Sequence, residues 1–377
     1  MTNKNDNIVI YGVGDIAPDR DNPESMFQHI TDVIKSGDIS FFHLECVLSN
    51  RGVGPHAKDV AKDPKIAKIL KNVGFDIVGM ASNHNMGAGM DAFLDSIDHL
   101  KEGGLKVVGV GRNIEEARIP GIFDCRGTKI AFLDYNAVLE PNAWAEANRP
   151  GAAPLRVKSF FEPLEPFQPG TPARVFTYPD RGDMSAMIED VKKAKKQADV
   201  VIVSIHSGVH MMPAIIADYQ KDYAHAAIDN GADLVLQHHA HILKGIEVYN
   251  GKVIFYGLGN FAIELWFMTK EWANIPQIRD ERRLLNPDWN PPYDDYPSFP
   301  FPPDSRKTMI AKCEVSNKQV SKVSFLPCYI NKSSEPEILA RQDKRFDEVV
   351  AYVKNISEDQ GLKTNFTVDG SEVVISK

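Results

Sequence analysis

The chain has 377 residues, of which 43% are hydrophobic and 25% charged, so it is long enough to bury a sizeable core. Its formal net charge of -8 argues against nucleic-acid binding, which needs a basic face. No segment is apolar over the length of a membrane span.

The four cysteines are scattered and form no C-x-x-C pair. This spacing disfavours a disulfide framework or a thiolate zinc site and favours reduced thiols. The N-terminal stretch MTNKNDNIVIYGVGDI contains an apolar run that is too short for a secretion signal. We therefore expect a cytoplasmic protein with no membrane contact and no nucleic-acid partner.

Short apolar runs alternate with longer amphipathic ones through residue 135. Strands are predicted at NIVIYGVG, ISFFHLE, FDIVGMA, KVVGVG and KIAFLDY. Helices are predicted at ESMFQHITDVIKSG, PKIAKILKNVG and GMDAFLDSIDHLKEGG. Because strands alternate with helices, the pattern predicts an α/β domain with a largely parallel sheet.

The alternation resumes after residue 185, with helices at MSAMIEDVKKAKKQ and ADYQKDYAHAAIDNG and strands at DVVIVSIH, DLVLQHH and KVIFYGLG. The alternating pattern of KTMIAKCEVSNKQVSKVSFLPCYI predicts a β-hairpin with its bend at SNK. A helix near DKRFDEVVAYVKNIS and a strand at EVVIS follow. We predict one domain over residues 1–330 and a helix-and-strand extension over residues 331–377.

Two proline-rich segments interrupt this rhythm, at about residues 140–185 and 266–306, and each contains eight prolines. All four tryptophans lie within them. Disordered segments are poor in aromatic residues, so the composition favours ordered lids over a site. The alternative is that these insertions cover a sheet edge or form a subunit contact.

Polar side chains follow five of the predicted strands at the point where each strand ends. These side chains are Asp15, Glu45, the pair Asn83 and His84, His206, and the triplet His238, His239 and His241. In an α/β sheet, sites form at the carboxyl ends of strands. A single strand-end histidine is usually structural, but convergence of all five strand ends on one edge indicates a site.

Carboxylate, amide and imidazole groups without a thiolate suit two divalent metals of the Mn, Fe or Zn kind. Two metals about 3.5–4 Å apart clamp a substrate oxygen and lower the pKa of bound water toward ~7. His239 and His241, two residues apart as the strand ends, would serve adjacent metals. Strand alternation turns His238 the other way, into a supporting position. The alternative is a set of core histidines bonded to backbone.

The order GDI, HLE, SNH, IHSG, HHAH and YGLGNF, over roughly residues 8–264, resembles the CapA family of capsule or poly-γ-glutamate biosynthesis proteins. That family is related to calcineurin-like metallophosphoesterases. The resemblance implies a four-layer α/β sandwich of metallophosphoesterase type with a dinuclear metal centre. The ligands it implies are Asp15 and His241 for one metal, Glu45 as the bridge, and Asn83, His206 and His239 for the second. It also implies that His84 is the catalytic proton donor.

The chain departs from the family pattern at two places. Relatives commonly have N-H-x-x-D-x-G after the asparagine, whereas NHNMGAG places Gly87 where the aspartate is expected. That aspartate could orient the histidine that corresponds to His84. HLE replaces the more usual asparagine-leucine-glutamate, and we expect His43 to be a buried side chain.

Other residues are candidates for substrate contact or for supporting a ligand. Arg112 in GVGR could hold a carboxylate or phosphate, or form a surface ion pair. Asn260 in GLGNF could hydrogen-bond a ligand histidine. Glu264 and Trp266 begin the second insertion and are expected to contact substrate. For His210, packing against a helix is favoured over a place in the pocket.

The leading functional prediction is a dinuclear metal-dependent hydrolase that cleaves a phosphoester or an amide or peptide-like bond, with His84 as proton donor. The first alternative is a metal-assisted acid/base enzyme, an epimerase or lyase, that uses the same ligands. The second is a non-catalytic accessory protein of poly-γ-glutamate or capsule assembly, which the net charge of -8 disfavours. The expected partner is a small-molecule or peptide-like substrate, and a homo-oligomer is left open.

Overall fold

The computed structural model of the protein describes residues 7–54, 60–268 and 270–377. The strands within these ranges are β1 (Ile8–Ala17), β2 (Ile39–Leu44), β3 (Val47–Leu48), β4 (Ala61–Lys62), β5 (Ile77–Gly79), β6 (Lys106–Val108), β7 (Val110–Gly111), β8 (Gly121–Cys125), β9 (Thr128–Asn136), β10 (Gly151–Ala152), β11 (Val157–Pro163), β12 (Ala173–Pro179), β13 (Val200–Ser207), β14 (Leu234–His239), β15 (Ile246–Tyr249), β16 (Lys252–Phe255), β17 (Asn260–Ile263), β18 (Lys307–Ser316), β19 (Gln319–Ile330), β20 (Pro336–Ile338), β21 (Asn365–Asp369) and β22 (Glu372–Ser376).

The helices lie mostly between strands. Their bounds are α1 (Thr31–Ser36), α2 (Lys65–Val73), α3 (Met90–Glu102), α4 (Ile114–Ala117), α5 (Arg181–Gln197), α6 (Asp218–Asp229), α7 (Lys270–Ala273), α8 (Pro276–Leu285) and α9 (Lys344–Asp359). Short 3-10 turns span Pro23–Phe27, Pro141–Ala143 and Pro303–Arg306. No helix in the described ranges is both long and apolar enough to cross a membrane.

Most of the strands form two large sheets. The first sheet has the order β21-β22-β19-β18-β1-β2-β5-β6, with β17 beside β1 and β20 beside β19. The second has the order β15-β16-β14-β13-β9-β8. Strands β17, β1, β2, β5 and β6 run parallel within the first sheet, as do β9, β13, β14 and β16 within the second. Each sheet therefore has an edge where several carboxyl ends meet.

The two sheets pack face to face because apolar side chains alternate along their strands. In β1, Ile8 and Ile10 point into the core between the sheets, whereas Val13 points to the outer face. In β14, Leu234 and Leu236 point into the same core. Burying one such side chain contributes about 1.5–3 kcal/mol, so a one-residue shift of either strand would be strongly disfavoured.

Helices cover the outer face of each sheet. Apolar residues of α1, α2 and α3 pack with the outer side of the first sheet, and those of α5 and α6 with the outer side of the second. The layers are therefore helix, sheet, sheet and helix. The prediction of a four-layer α/β sandwich is confirmed.

The predicted hairpin near the C-terminus is formed by β18 and β19, which pair antiparallel. Asn317 and Lys318 form its bend, with φ of 51° and 64°, the left-handed geometry that a two-residue hairpin turn requires. After residue 331, β22 pairs with β19, and α9 contributes Phe346, Val349 and Val353 to the core between the sheets.

The two proline-rich insertions have different structures. The first contains β10, which pairs with β7, and an antiparallel hairpin formed by β11 and β12. The second contains α7 and α8, and its residues Trp289, Phe299 and Phe301 are buried against the outer layer of the first sheet. The second insertion thus packs as part of the fold.

Candidate metal centre at the junction of the two sheets

The sequence-predicted site residues come from neighbouring strand ends of both sheets. Asp15 lies in β1 and is paired in register with His43 of β2, and Glu45 follows two residues later. From the second sheet, His206 lies near the end of β13 and His239 ends β14. Asp15, His43, Glu45 and His206 are all buried.

Four side chains form the tightest group. Asp15, His43, Glu45 and His206 each offer one ligand atom, and these atoms lie within 4.8 Å of one another. Oε1 of Glu45 is 3.3 Å from Nδ1 of His206 and 3.4 Å from Nδ1 of His43. This spacing allows one cation to contact carboxylate and imidazole atoms at once.

Asn83, His239 and His241 complete the cluster from two sides. Nε2 of His206 is 2.7 Å from Oδ1 of Asn83 and 3.1 Å from Nδ1 of His239. On the other side, Nδ1 of His241 is 3.6 Å from Oδ2 of Asp15. The structure therefore brings together all six side chains that the sequence analysis proposed as ligands.

The backbone of the histidine triplet differs from a simple strand end. Strand β14 ends at His239, whose φ is +84°, and His241 has a φ of +54°. Such left-handed conformations are uncommon for non-glycine residues and concentrate at functional sites. The approach of His239 to His206 and of His241 to Asp15 therefore depends on two strained turns, and strand alternation ends before His241.

His43 and His238 form a stack of imidazole rings beneath the carboxylates. The ring of His43 is 4.7 Å from the ring of His238 and 4.6 Å from the ring of His206, and the ring planes of both pairs are nearly parallel. Nδ1 of His238 and Nδ1 of His43 lie 3.5 Å and 3.4 Å from Oδ1 of Asp15. His43 is buried as expected, but it also contacts both carboxylates, a role the sequence analysis missed. Its position two residues before Glu45, on the same strand face, was the available signal.

Several ligand atoms of the cluster are buried without a hydrogen bond among the described residues. They include Oδ1 of Asp15, both carboxylate oxygens of Glu45 and Nδ1 of His206. Buried polar groups in proteins almost always have partners, and a buried carboxylate needs a cation or donors. The residues present therefore fit a divalent cation.

Local charges set the protonation states that a metal needs. Burial alone would raise the pKa of Asp15, but the adjacent imidazoles of His238 and His43 hold that pKa well below its usual value. Burial, followed by the charge of neighbouring histidines, keeps the pKa of His206 and of His239 well below normal. An ionised carboxylate and neutral imidazoles are the forms that bind metal ions.

His43 is the exception among the buried histidines. Burial would lower its pKa, but the adjacent carboxylates of Asp15 and Glu45 outweigh burial and raise it to about 10. A protonated His43 therefore supplies positive charge between the two carboxylates.

His84 occupies the rim of the cluster. Its side chain is 40% exposed, and Nε2 lies 3.7 Å from Oε2 of Glu45 and 3.3 Å from Nδ2 of Asn83. Its backbone amide donates to Oγ of Ser82 at 3.0 Å. The amide of Gly87 donates to the carbonyl oxygen of His84. His84 is therefore accessible to a molecule that approaches the cluster from solvent.

His210 lies against the histidine triplet, although the sequence analysis favoured a packing role for it. Its ring is 3.9 Å from the ring of His239 and 5.2 Å from that of His241. Burial, and then the charge of His241, lower its pKa to about 3. From the second insertion, the ring of Phe301 lies 5.0 Å from that of His241. The rings of His210 and Phe301 cover one side of the cluster.

The remaining candidates have other partners. Oδ1 of Asn260 is 2.8 Å from Nδ1 of His241, as expected for a residue that holds a ligand histidine. Glu264 is buried and accepts two hydrogen bonds from the guanidinium of Arg20, at 3.0 and 2.8 Å. Trp266 is half exposed and donates to the carbonyl oxygen of Asp19.

Arg112 is half exposed and donates to both carboxylate oxygens of Asp98 at 3.0 Å, which is the surface ion pair considered as the alternative. Two cavities of about 280 and 400 Å³ share Ile114 and Arg118 in their walls. Neither is lined by a residue of the cluster. The chemistry of the side chains, not cavity size, identifies the candidate site.

Comparison with known proteins gives a family match over most of the chain. Residues 5–264 match the family profile described as Bacterial capsule synthesis protein PGA_cap. The PGA biosynthesis protein CapA of Bacillus subtilis (strain 168) is 28% identical over 257 residues, which cover 67% of this chain and 60% of that protein. The capsule biosynthesis protein CapA of Bacillus anthracis is 26% identical over 299 residues, which cover 74% of this chain and 65% of that protein. The chain thus spans less than two thirds of the length of these curated relatives.

Two further proteins are similar to this chain, one in sequence and one in structure. A probable polyglutamine synthesis accessory protein of Mycobacterium tuberculosis (strain ATCC 25618 / H37Rv) is 26% identical over 257 residues, 66% of this chain and 60% of that protein. The crystal structure of the calcineurin-like phosphoesterase YfkN from Bacillus subtilis is 12% identical, with 94% of this chain and 98% of that chain covered. Its TM-score of 0.42 is too low to carry an argument.

Proposed function

This chain belongs to the bacterial capsule synthesis protein (PGA_cap) family, and we propose that it is a dinuclear metal-dependent hydrolase within that family. The observation that carries the proposal is that Oδ1 of Asp15 and both carboxylate oxygens of Glu45 are buried without a hydrogen bond, at a junction rich in imidazoles. Removing one carboxylate from water costs on the order of several kcal/mol unless a cation offsets that cost. A divalent metal is the cation that suits this mixed set.

We assign the ligands to two groups that share Glu45. The residues proposed to hold two ions are Asp15 and His241 in one group, Glu45 shared by both, and Asn83, His206 and His239 in the other. Imidazole with carboxylate and no thiolate suits Mn, Zn or Fe. When bound, two such ions would stabilise negative charge on a substrate oxygen and lower the pKa of a water molecule.

The chain's own residues would position and protonate the substrate. His84 lies at the exposed rim, so its imidazole can donate a proton to a leaving group that reaches the cluster. Asn260 holds His241 in place by hydrogen bonding to its ring. His210 and Phe301 exclude water from one side of the cluster. Such exclusion strengthens electrostatic interactions within the site.

We propose a phosphoester or an amide or peptide-like bond as the target. Relatives are named for PGA and capsule biosynthesis, and a glutamate polymer is joined by amide bonds. A second candidate function is a non-catalytic accessory role in polymer assembly, because two mycobacterial relatives are named as accessory proteins. The exposed His84 beside Glu45 favours turnover over this alternative.

The proposal is tested by turnover of two substrate classes with Mn, Zn and Fe added in turn. Aryl phosphate esters report phosphoester cleavage, and γ-glutamyl anilides report amide cleavage. The proposal expects metal-dependent turnover of one class, lost in Glu45→Gln and retained in Glu146→Gln, whose side chain is 62% exposed. If the metal-loaded protein binds polyglutamate without cleaving either class, the accessory role is supported instead.

A further inference from the structure

The hairpin formed by β11 and β12 projects a large amount of apolar surface into solvent. Its exposed apolar side chains are Phe160, Phe161, Leu164, Phe167, Val175 and Tyr178, and Phe167 is 100% exposed. At roughly 150–250 Å² for a large side chain, they expose on the order of 600 Å². By strand alternation Phe160 and Tyr178 lie on one face and Phe161 and Val175 on the other, so both faces of the hairpin present apolar surface of the kind that marks interaction sites.

The base of this hairpin is fixed to the second sheet's helical layer. Thr177 is buried, its amide donates to the carboxylate of Asp218, and its hydroxyl accepts from the amide of Tyr219, both on α6. On the adjacent strand of the base, the hydroxyl of Tyr223 donates to the carbonyl oxygen of Arg156, which directly precedes β11, at 2.8 Å. The hairpin is therefore an arm with an anchored base.

Strand β11 is the outer edge of the arm. It pairs only with β12 in a two-stranded sheet of the described chain, and its residues from Lys158 to Pro163 are all exposed. Strand β12 carries the residues that contact α6. An exposed apolar edge strand is a template for another strand, and isolated two-stranded hairpins are marginally stable.

The charges on the arm indicate which partner fits. Its charged residues are Lys158, Glu162, Glu165 and Arg174, so the arm has no net charge. A membrane-surface element would instead carry a basic rim that attracts anionic lipid. Lys158 is 69% exposed and reaches Asp180 only at 4.0 Å, so it can pair elsewhere.

We propose that β11 pairs antiparallel with β11 of a second copy of this chain, with Phe160 on the two-fold axis. This register places Lys158 of each copy opposite Glu162 of the other, on the same face as the two Phe160 rings. A shift of the axis by one position removes this charge pairing. Two-fold association uses the same patch on both copies, so one strand supplies both halves of the interface.

Pairing along β11 would bring apolar side chains of both copies together on both faces of the joined sheet, with Phe160 on one face and Phe161 on the other. Pairing would join two hairpins into a four-stranded sheet, a size at which strands become independently stable. It would also satisfy the outward backbone groups of β11.

Charge reversal tests the register by analytical ultracentrifugation over a wide protein concentration range. We expect wild type to dimerise, and Lys158→Glu and Glu162→Lys each to weaken the dimer about tenfold or more, since each places like charges opposite one another twice. The double variant Lys158→Glu/Glu162→Lys should restore dimerisation. Lys196→Glu, on the exposed face of α5, should leave the dimer unchanged.

A symmetric cross-link gives an independent readout. Two residues that face each other on a two-fold axis lie within disulfide reach, so Phe160→Cys should form a covalent dimer on oxidation. Wild type should not, because Cys46, Cys313 and Cys328 are buried and Cys125 is partly buried. The proposal is overturned if wild type is monomeric over the whole concentration range, or if neither charge reversal weakens the dimer. It is also overturned if the protein is a monomer that binds lipid vesicles through this arm.

Discussion

His206 and Asn83 are 123 positions apart in the chain, yet Nε2 of His206 lies 2.7 Å from Oδ1 of Asn83. His206 lies in the second sheet, and Asn83 follows β5 of the first. The candidate metal centre is therefore a product of the packing of one sheet on the other. Any change that shifts this packing should affect the ligands as a group.

The proton donor can be separated from the proposed ligands. His84→Asn keeps a polar side chain at the rim, so we expect metal content and stability close to wild type. Turnover should fall about 10²- to 10⁴-fold, the typical contribution of a general acid. The measurements are metal content by plasma mass spectrometry and kcat on the substrate that wild type cleaves.

His99→Asn is the matched control, because His99 lies on the outer side of α3 and is 36% exposed. It should retain wild-type turnover. Full activity in His84→Asn would remove His84 from the mechanism, and loss of metal in that variant would make it a ligand.

Gly14 fixes the position of Asp15 through a close approach to another loop. A Cβ at residue 14 would lie 2.0 Å from the carbonyl oxygen of Gly259, which accepts a hydrogen bond from the amide of Asp15. We expect Gly14→Ala to lower the free energy of unfolding by about 1–3 kcal/mol and to reduce metal content, because β1 must move.

Urea denaturation and metal analysis measure both effects. The control is Gly182→Ala in the first turn of α5, where a Cβ would meet only the Asp180 side chain at 3.2 Å. If Gly14→Ala keeps wild-type stability and metal content, the close approach does not position Asp15.

The buried side chain of Lys244 should make the free energy of unfolding depend on pH. Its side chain is fully buried, and burial lowers its pKa from 10.5 to about 7. Between about pH 7 and pH 10.5 the unfolded chain carries up to one more proton than the folded chain, so the free energy of unfolding rises with pH across that window. Below about pH 7 both states are protonated and the full cost of the buried charge remains.

Lys244→Met removes this titration. We expect the variant to be more stable than wild type at pH 6, with an advantage that shrinks by up to about 1.4 kcal/mol per pH unit between pH 7 and 10. Urea denaturation at several pH values measures the difference, and Lys196→Met on α5 is the exposed control. Parallel pH profiles for wild type and Lys244→Met would show that Lys244 stays charged in the folded state.

The sequence allowed the ligand set to be predicted because each residue follows an apolar run with a clear strand pattern. Glu45 and His206 are examples of this pattern, and the register of parallel strands brings such ends together. The stack of His43 on His238 could not be predicted, because those rings come from opposite sheets. Similarly, the left-handed backbone of His241 is a tertiary effect that overrides strand alternation.

The first proline-rich insertion could not be predicted from sequence for a different reason. Its prolines obscure the strand pattern of β11 and β12, and the composition predicts an ordered lid there, with a sheet-edge cover or a subunit contact as the alternative. Pro163 and Pro179 lie at the ends of these strands, where a missing amide hydrogen is tolerated. The partner of Arg112 could not be predicted either, since Asp98 lies on α3, in a different element, and no sequence pattern links the two residues.

The central claim is that the buried carboxylates of Asp15 and Glu45 bind metal, and metal content in wild type and Glu45→Gln tests it most directly. Wild type should hold about two transition metals per chain. Added metal should raise its free energy of unfolding by about 2.7 kcal/mol at a concentration of about a hundred times Kd.

Glu45→Gln should lose both the metal and this stabilisation. Glu146→Gln should match wild type in both measurements. A folded wild type that stays metal-free after incubation with Mn, Zn and Fe would contradict the account.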